Sequence, residues 1–143
     1  MLKLYIGQYK SERTLIKFNM VRYTTICMVL DYFCYMNSLS EDVACTFDYI
    51  VDFVFKKASY KKTEDNIAMV HTAITNMKMM GLLYEPRTNY MAITDLGKQA
   101  YMNQSYHATT ASLYQANASR RLSMIAIGVA IAGILLTLIL QLI

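Results

Sequence analysis

Residues 70–98 read VHTAITNMKMMGLLYEPRTNYMAITDLGK, and the reading of this stretch decides the fold. Val70, Ile74 and Met77 recur at i, i+4 and i+7, the spacing of one buried face of an α-helix. Gly81 stops that helix, because a glycine readily takes the left-handed conformation in which helices end. Leu82 and Leu83 carry the apolar line past the stop, and Tyr84 to Thr94 then read as strand, short turn, strand. Upstream, Thr63-Glu64-Asp65 opens the helix. Thr63 serves as N-cap, and the two acids suit the positive end of the helix dipole. One helix from Thr63 to Met80 leading into a β-hairpin is therefore expected.

Working outward towards the N-terminus, Met20 to Met36 (MVRYTTICMVLDYFCYM) reads as a helix with Val21, Ile26, Val29, Leu30 and Phe33 on its apolar face. It is not a membrane span, since Arg22 and Asp31 would both fall inside the bilayer. Asn37 to Ser40 breaks it. Ser40-Glu41-Asp42 gives a start signal for a helix from Glu41 to about Lys57, with Val43, Phe47, Ile50, Val51, Val54 and Phe55 as its core positions. Asp48 and Asp52 share one face of that helix. Without an accompanying His they read as a solvated face rather than an acid/base pair or half a metal site. Residues 1–19 form an N-terminal extension. There Leu2, Leu4 and Ile6 alternate with Lys3 and Tyr5 as a strand would, although Ser11 and the charges after it also suit a helix start. Lys56, Lys57, Lys61 and Lys62 flank Ala58-Ser59-Tyr60 in a short basic turn, either solvated or contacting phosphate.

The other end of the chain is simpler. Met124 to Ile143 (MIAIGVAIAGILLTLILQLI) carries no charge, and twelve of its twenty residues are Ile, Leu or Val. Twenty helical residues span about 30 Å, the hydrocarbon thickness of a bilayer. At roughly 0.3–0.6 kcal/mol per large apolar residue, insertion gains on the order of 5 kcal/mol. Residues 122–143 are thus expected to be a single transmembrane helix. Arg120 and Arg121 precede it and no charge follows it, so the positive-inside rule keeps the N-terminal part in the cytoplasm, in the topology of a tail-anchored protein. The opening residues, with charges at Lys3, Lys10, Glu12, Arg13 and Lys17, do not form a signal peptide. Within the span Gly128 and Ala132 form a small-xxx-small pair, and Ala126, Ala130 and Gly133 lie along a second stripe with Thr137. Such faces allow close helix approach and self-association.

Composition limits what the rest can do. One Pro and five Gly leave little room for a many-turned β fold. Fourteen Lys and Arg stand against ten Asp and Glu; setting aside Arg120 and Arg121 leaves twelve against ten, a mild balance for a nucleic-acid binder. Cys27, Cys34 and Cys45 lack metal spacing and read as reduced core residues of a cytosolic domain. His71 and His107 have no nucleophile arrangement around them, and no glycine-rich phosphate loop is present. No catalytic residue, no metal ligand and no cofactor is expected; the chain does not read as an enzyme.

Residues 20–102 resemble a winged helix-turn-helix domain of the MarR-like and PadR-like kind. Val70-x-x-x-Ile74-x-x-Met77-x-x-x-Gly81-Leu82-Leu83 looks like its recognition helix and exit, and Tyr84 to Thr94 looks like its wing. Thr94-Asp95-Leu96-Gly97-Lys98 is similar to the LTxxG[RK] element that ends the wing, where the Thr caps the following helix and the Gly permits close packing. The resemblance implies a mainly α fold with a small β-hairpin wing. It also implies that the exposed face of the third helix and the wing contact DNA or a partner. Here that surface offers Met69, His71, Thr72, Thr75, Asn76 and Lys78 on the helix, Arg87 with Thr88 and Asn89 on the wing, and Lys61 and Lys62 at the basic turn. The sequence departs from the family in having no arginine on the third helix, acids at its start, and no Asp-x-Arg in the wing.

Between wing and span, residues 103–121 form a juxtamembrane connector, uncharged from Gln99 to Ser119. Met102, Tyr106, Thr109, Leu113 and Ala116 follow a 4-3-4-3 spacing, so a helix continuing from the wing would carry a weak paired seam; a polar tether is the other option. Two functions follow. One is a membrane-anchored interaction or adaptor module holding a protein partner, a dimer in the bilayer. The other is a membrane-tethered DNA-binding transcriptional regulator. At roughly 0.9 log units of salt sensitivity per neutralised phosphate, so few cations would give modest affinity per monomer.

Overall fold

The computed structural model describes residues 2–40 and 43–142, with side chains described for 14–40 and 43–141. It divides into two compact units, Met1–Thr110 and Ala111–Ile143. Along the chain run α1 (Leu2–Leu39), β1 (Ala44–Thr46), α2 (Phe47–Ala58), α3 (Glu64–Met79), β2 (Leu83–Arg87), β3 (Tyr90–Ile93), α4 (Asp95–Met102) and α5 (Ser105–Leu142). The strands form one antiparallel sheet in the order β1-β3-β2.

The core of the first unit is built where the sequence periodicity places it. Ile26, Val29, Leu30 and Phe33 of α1 are fully buried against Ile50 and Val54 of α2 and Val70, Ile74 and Met77 of α3, with Leu82, Leu83 and Ile93 closing the sheet side. Fully burying one such side chain is worth roughly 1.5–3 kcal/mol, so this shared cluster holds three helices and the sheet together. Thr63 caps α3 as expected, its side chain accepting from the Asn66 amide. Gly81 sits at φ +73° just beyond the helix, a conformation that costs a glycine nothing.

The start of α2 differs from expectation. Ser40 does not open a helix, and the signal at Glu41 and Asp42 lies outside the described residues. Instead Ala44–Thr46 pair with β3, Ala44 opposite Ala92 and Thr46 opposite Tyr90, and the helix begins at Phe47 with Thr46 as its cap. Sheet pairing overrides the local signal: three residues gain ladder partners, and the Phe47 amide donates to the Asn89 carbonyl at 2.9 Å. Val43 is therefore not a helix residue and is only half-buried. Residues 2–19 also differ: they extend α1 and do not form a strand. A helix satisfies its own backbone, whereas the alternation of Leu2, Leu4 and Ile6 would need a neighbouring strand.

The hairpin is short and irregular. Leu83 pairs with Ile93 and Tyr84 with Ala92, but the register shifts before Arg87 meets Tyr90, with Asn89 at φ 63° in the turn. Pro86 lies in β2, which is an edge of the sheet, the place where a residue without an N–H is tolerated. At the far end of β3, Thr94 joins four segments. Its hydroxyl donates to the Gly81 carbonyl at 2.5 Å and accepts from the Gly97 amide at 3.0 Å, and its own amide donates to the Leu82 carbonyl at 3.1 Å. Gly97 is buried so tightly that a Cβ there would stand 2.4 Å from the Leu82 carbonyl oxygen and 2.7 Å from Ile93 Cγ1.

α4 stops at Asn103, and Gln104 takes φ 51° before α5 begins. Met102 therefore does not share a helix with Tyr106, and the 4-3-4-3 seam loses its first member. From Ser105 on, the connector is helical. In the second unit, every large apolar side chain from Leu122 to Leu140 is exposed. Among the described residues α5 is the one helix long and apolar enough to cross a membrane. The Thr137 hydroxyl donates to the Gly133 carbonyl at 2.9 Å, so it needs no partner outside the helix. A Cβ at Gly128 or Gly133 would meet no atom within 4 Å.

The two kinds of glycine make a paired prediction. Gly97→Ala must displace backbone and is expected to lower stability by about 1–3 kcal/mol, measured by chemical unfolding of the detergent-solubilised chain. Gly128→Ala, in open space within a helix, brings no such loss.

Candidate interaction surface

Within the first unit, α3 turns Val70, Ala73, Ile74 and Met77 inward and leaves His71, Thr72, Thr75, Lys78 and Met79 exposed. Asn76 is half-buried. Arg87 follows on the exposed strand β2, while Lys61 and Lys62 precede the other end of α3, whose sixteen residues rise about 24 Å. The structure thus leaves His71, Thr72, Thr75 and Lys78 exposed along α3, ties Lys78 to the hairpin that carries Arg87, and places the two lysines at the far end.

The side chains on that face are largely engaged inside the chain. Lys78 forms an ion pair with Glu85 of β2. The other Glu85 oxygen accepts from the Asn89 amide at 2.9 Å, so one carboxylate ties the end of α3 to the hairpin turn. The lysine beside it and the amide hold the Glu85 carboxyl below its ordinary value of 4.5. Arg87 lies over Tyr90, its guanidinium carbon 3.6 Å from the ring centre. Thr72 donates to the Ala68 carbonyl at 2.7 Å, which leaves only its lone pairs for an outside donor. His71 meets the Phe47 ring edge-on at 4.9 Å. Lys62 bridges to Asp52 at 2.7 Å, and Asp48 is exposed, so the two aspartates form a solvated face.

The cysteines, Tyr32 and His107 sit on other elements, α1, β1 and α5. All three cysteines are free; Cys27 is buried, whereas Cys34 and Cys45 are only half-buried, less than expected of core residues. Burial pushes the Cys27 thiol up although Thr110 bonds to it at 3.2 Å, and burial likewise raises Cys34. Tyr32 is raised by burial and by its hydrogen bonds with Cys45 and Tyr49. His107 is not a free surface residue: its Nε2 meets Asp31 at 2.8 Å and its ring stands edge-on to Tyr101. Among the described residues no group of three His, Cys, Asp or Glu is placed to hold a metal ion.

Sequence reasoning missed Glu85 as a functional neighbour. It lies seven residues beyond Lys78 across a helix end and a strand, a separation that no helical or strand period links. A comparison with protein-family models, curated proteins and solved structures yields no match to this chain.

Because the folded Glu85 carboxyl titrates lower than in the unfolded chain, its contribution is full above the ordinary value of 4.5 and is lost as pH falls through the folded value. Glu85→Gln is expected to reduce stability near neutral pH. The gap from the parent should close on acidification below 4.5, as read by thermal unfolding over a pH series.

Proposed function

We propose that this chain is a membrane-anchored, non-catalytic winged-helix protein whose head binds a protein partner, with residues 122–143, the C-terminal part of α5, as its span and residues 1–119 in the cytoplasm. The winged-helix reading is supported by the element order. A helix pair, α2 and α3, is joined by a short turn and followed directly by a hairpin, with α1 packed behind. The Thr94 cap and the close approach at Gly97 fit the roles that the MarR-like and PadR-like element gives those positions. The membrane reading is supported by the exposed apolar length of α5, and Arg120–Arg121 at its edge support the orientation. Gly128 with Ala132, and Ala126, Ala130 and Gly133, support self-association in the bilayer.

The observation that carries the choice of partner is the pairing of Lys78 with Glu85. The cation best placed on α3 for a phosphate already has a carboxylate, and Glu64 and Asp65 add negative charge at the helix start. A DNA backbone would have to break that pair before gaining from it, whereas a protein surface needs no excess of cations. Exposed His71, Thr72 and Thr75 on α3, with exposed Arg87 on β2, favour the second reading, a membrane-tethered DNA-binding regulator.

Titrating DNA duplexes of mixed sequence into the full-length protein in nanodiscs decides between them. The expected result is no binding that falls with added salt; a salt-dependent affinity would establish the regulator instead. For the anchor, the chain should resist alkaline extraction from membranes. Protease added to sealed inside-out vesicles should remove residues 1–119, and protection of that part would reverse the orientation.

A further inference from the structure

The α2–α3 turn carries a surface that the α3 face does not use. Lys56 and Lys57 end α2, Ser59 caps it at φ 53°, and Lys61 and Lys62 follow within three residues. The backbone under these lysines is pinned. The Lys61 carbonyl accepts from both the Thr63 amide and the Asn66 side chain, each at 2.9 Å, and Tyr60 packs on the core with its ring edge-on to Phe55. Lys62 is spoken for by Asp52. Lys56, Lys57 and Lys61 are exposed and have no carboxylate in bridging distance among the described residues. A fixed turn thus presents three ammonium groups outside any ion pair among the described residues, with Asp52 one helical turn before Lys56 but bridged to Lys62, and Glu64 and Asp65 in the next helical turn.

We propose that this turn docks on the anionic headgroups of the bilayer in which the chain is anchored. The inference rests on the membrane reading of α5. A tethered head meets the bilayer surface at high effective concentration, so weak contacts suffice. The leaflet that the positive-inside rule selects for the head is also the one rich in anionic lipid. Attraction to such a surface is worth about fivefold per lysine, so three lysines reach about a hundredfold. Point-charge ammonium groups suit headgroup phosphates and carboxylates that differ in position, whereas a defined bidentate site would call for Arg. Lipid is favoured over DNA because Lys56 and Lys57 belong to α2, and the turn lies about 24 Å along α3 from the hairpin that would share a duplex.

The test uses the full-length protein in nanodiscs of phosphatidylcholine, with and without phosphatidylserine. An amine-reactive label is read at each lysine by mass spectrometry. Phosphatidylserine should slow labelling of Lys56, Lys57 and Lys61 severalfold, high salt should restore it, and Lys98 should not change. Equal rates in both discs overturn the proposal. Equal protection in phosphatidylcholine discs by added inorganic phosphate or by a DNA duplex overturns it as well, since the lipid would then not be the ligand. Co-elution with the discs at high salt reads the anchor separately. Its failure removes the membrane reading and this docking with it, whereas co-elution with unchanged labelling removes the docking alone.

Discussion

Thr94 is the fixed point of the first unit. Its hydroxyl holds the Gly81 carbonyl where α3 ends and the Gly97 amide where α4 begins, while its own amide holds Leu82 at the entry to β2. Four chain segments meet at one residue, and Gly97 lets them meet because no Cβ intervenes. Buried backbone groups need partners, and here a single side chain supplies several of them. The position of the hairpin relative to α3, and so the shape of the candidate surface, follows from this junction.

What was legible in the sequence is what depends on local periodicity and on residues with special backbone chemistry. The i, i+4, i+7 line of Val70, Ile74 and Met77, the cap at Thr63, the stop at Gly81 and the strands on either side of Asn89 were all readable. Each is a property of a few consecutive residues. β1 was not readable, because three residues, Ala44–Thr46, become a strand only through β3, about forty-five residues later. The break at Asn103–Gln104 was missed for a different reason: neither residue is Gly or Pro, yet Gln104 takes a positive φ.

The surface was half legible. Exposure of His71, Thr72 and Thr75 follows from the buried stripe on the opposite side of α3. Their availability does not, since it is set by partners distant in sequence: Glu85 for Lys78, Phe47 for His71, Asp52 for Lys62. A list of cations overstates the charge offered to an outside ligand whenever acids fold back onto them. At exposed sites such pairs add little stability, typically below about 1 kcal/mol, but they change which ligand the surface suits.

The two outer strands of the sheet have a consequence of their own. β1 is three residues long, and β2 carries Pro86 and a register shift. Neither offers the long row of open amides and carbonyls on which a further strand grows. Copies of this chain crowded side by side are thereby kept from fusing their sheets into a shared ribbon. Any assembly they form is then built from side-chain surfaces.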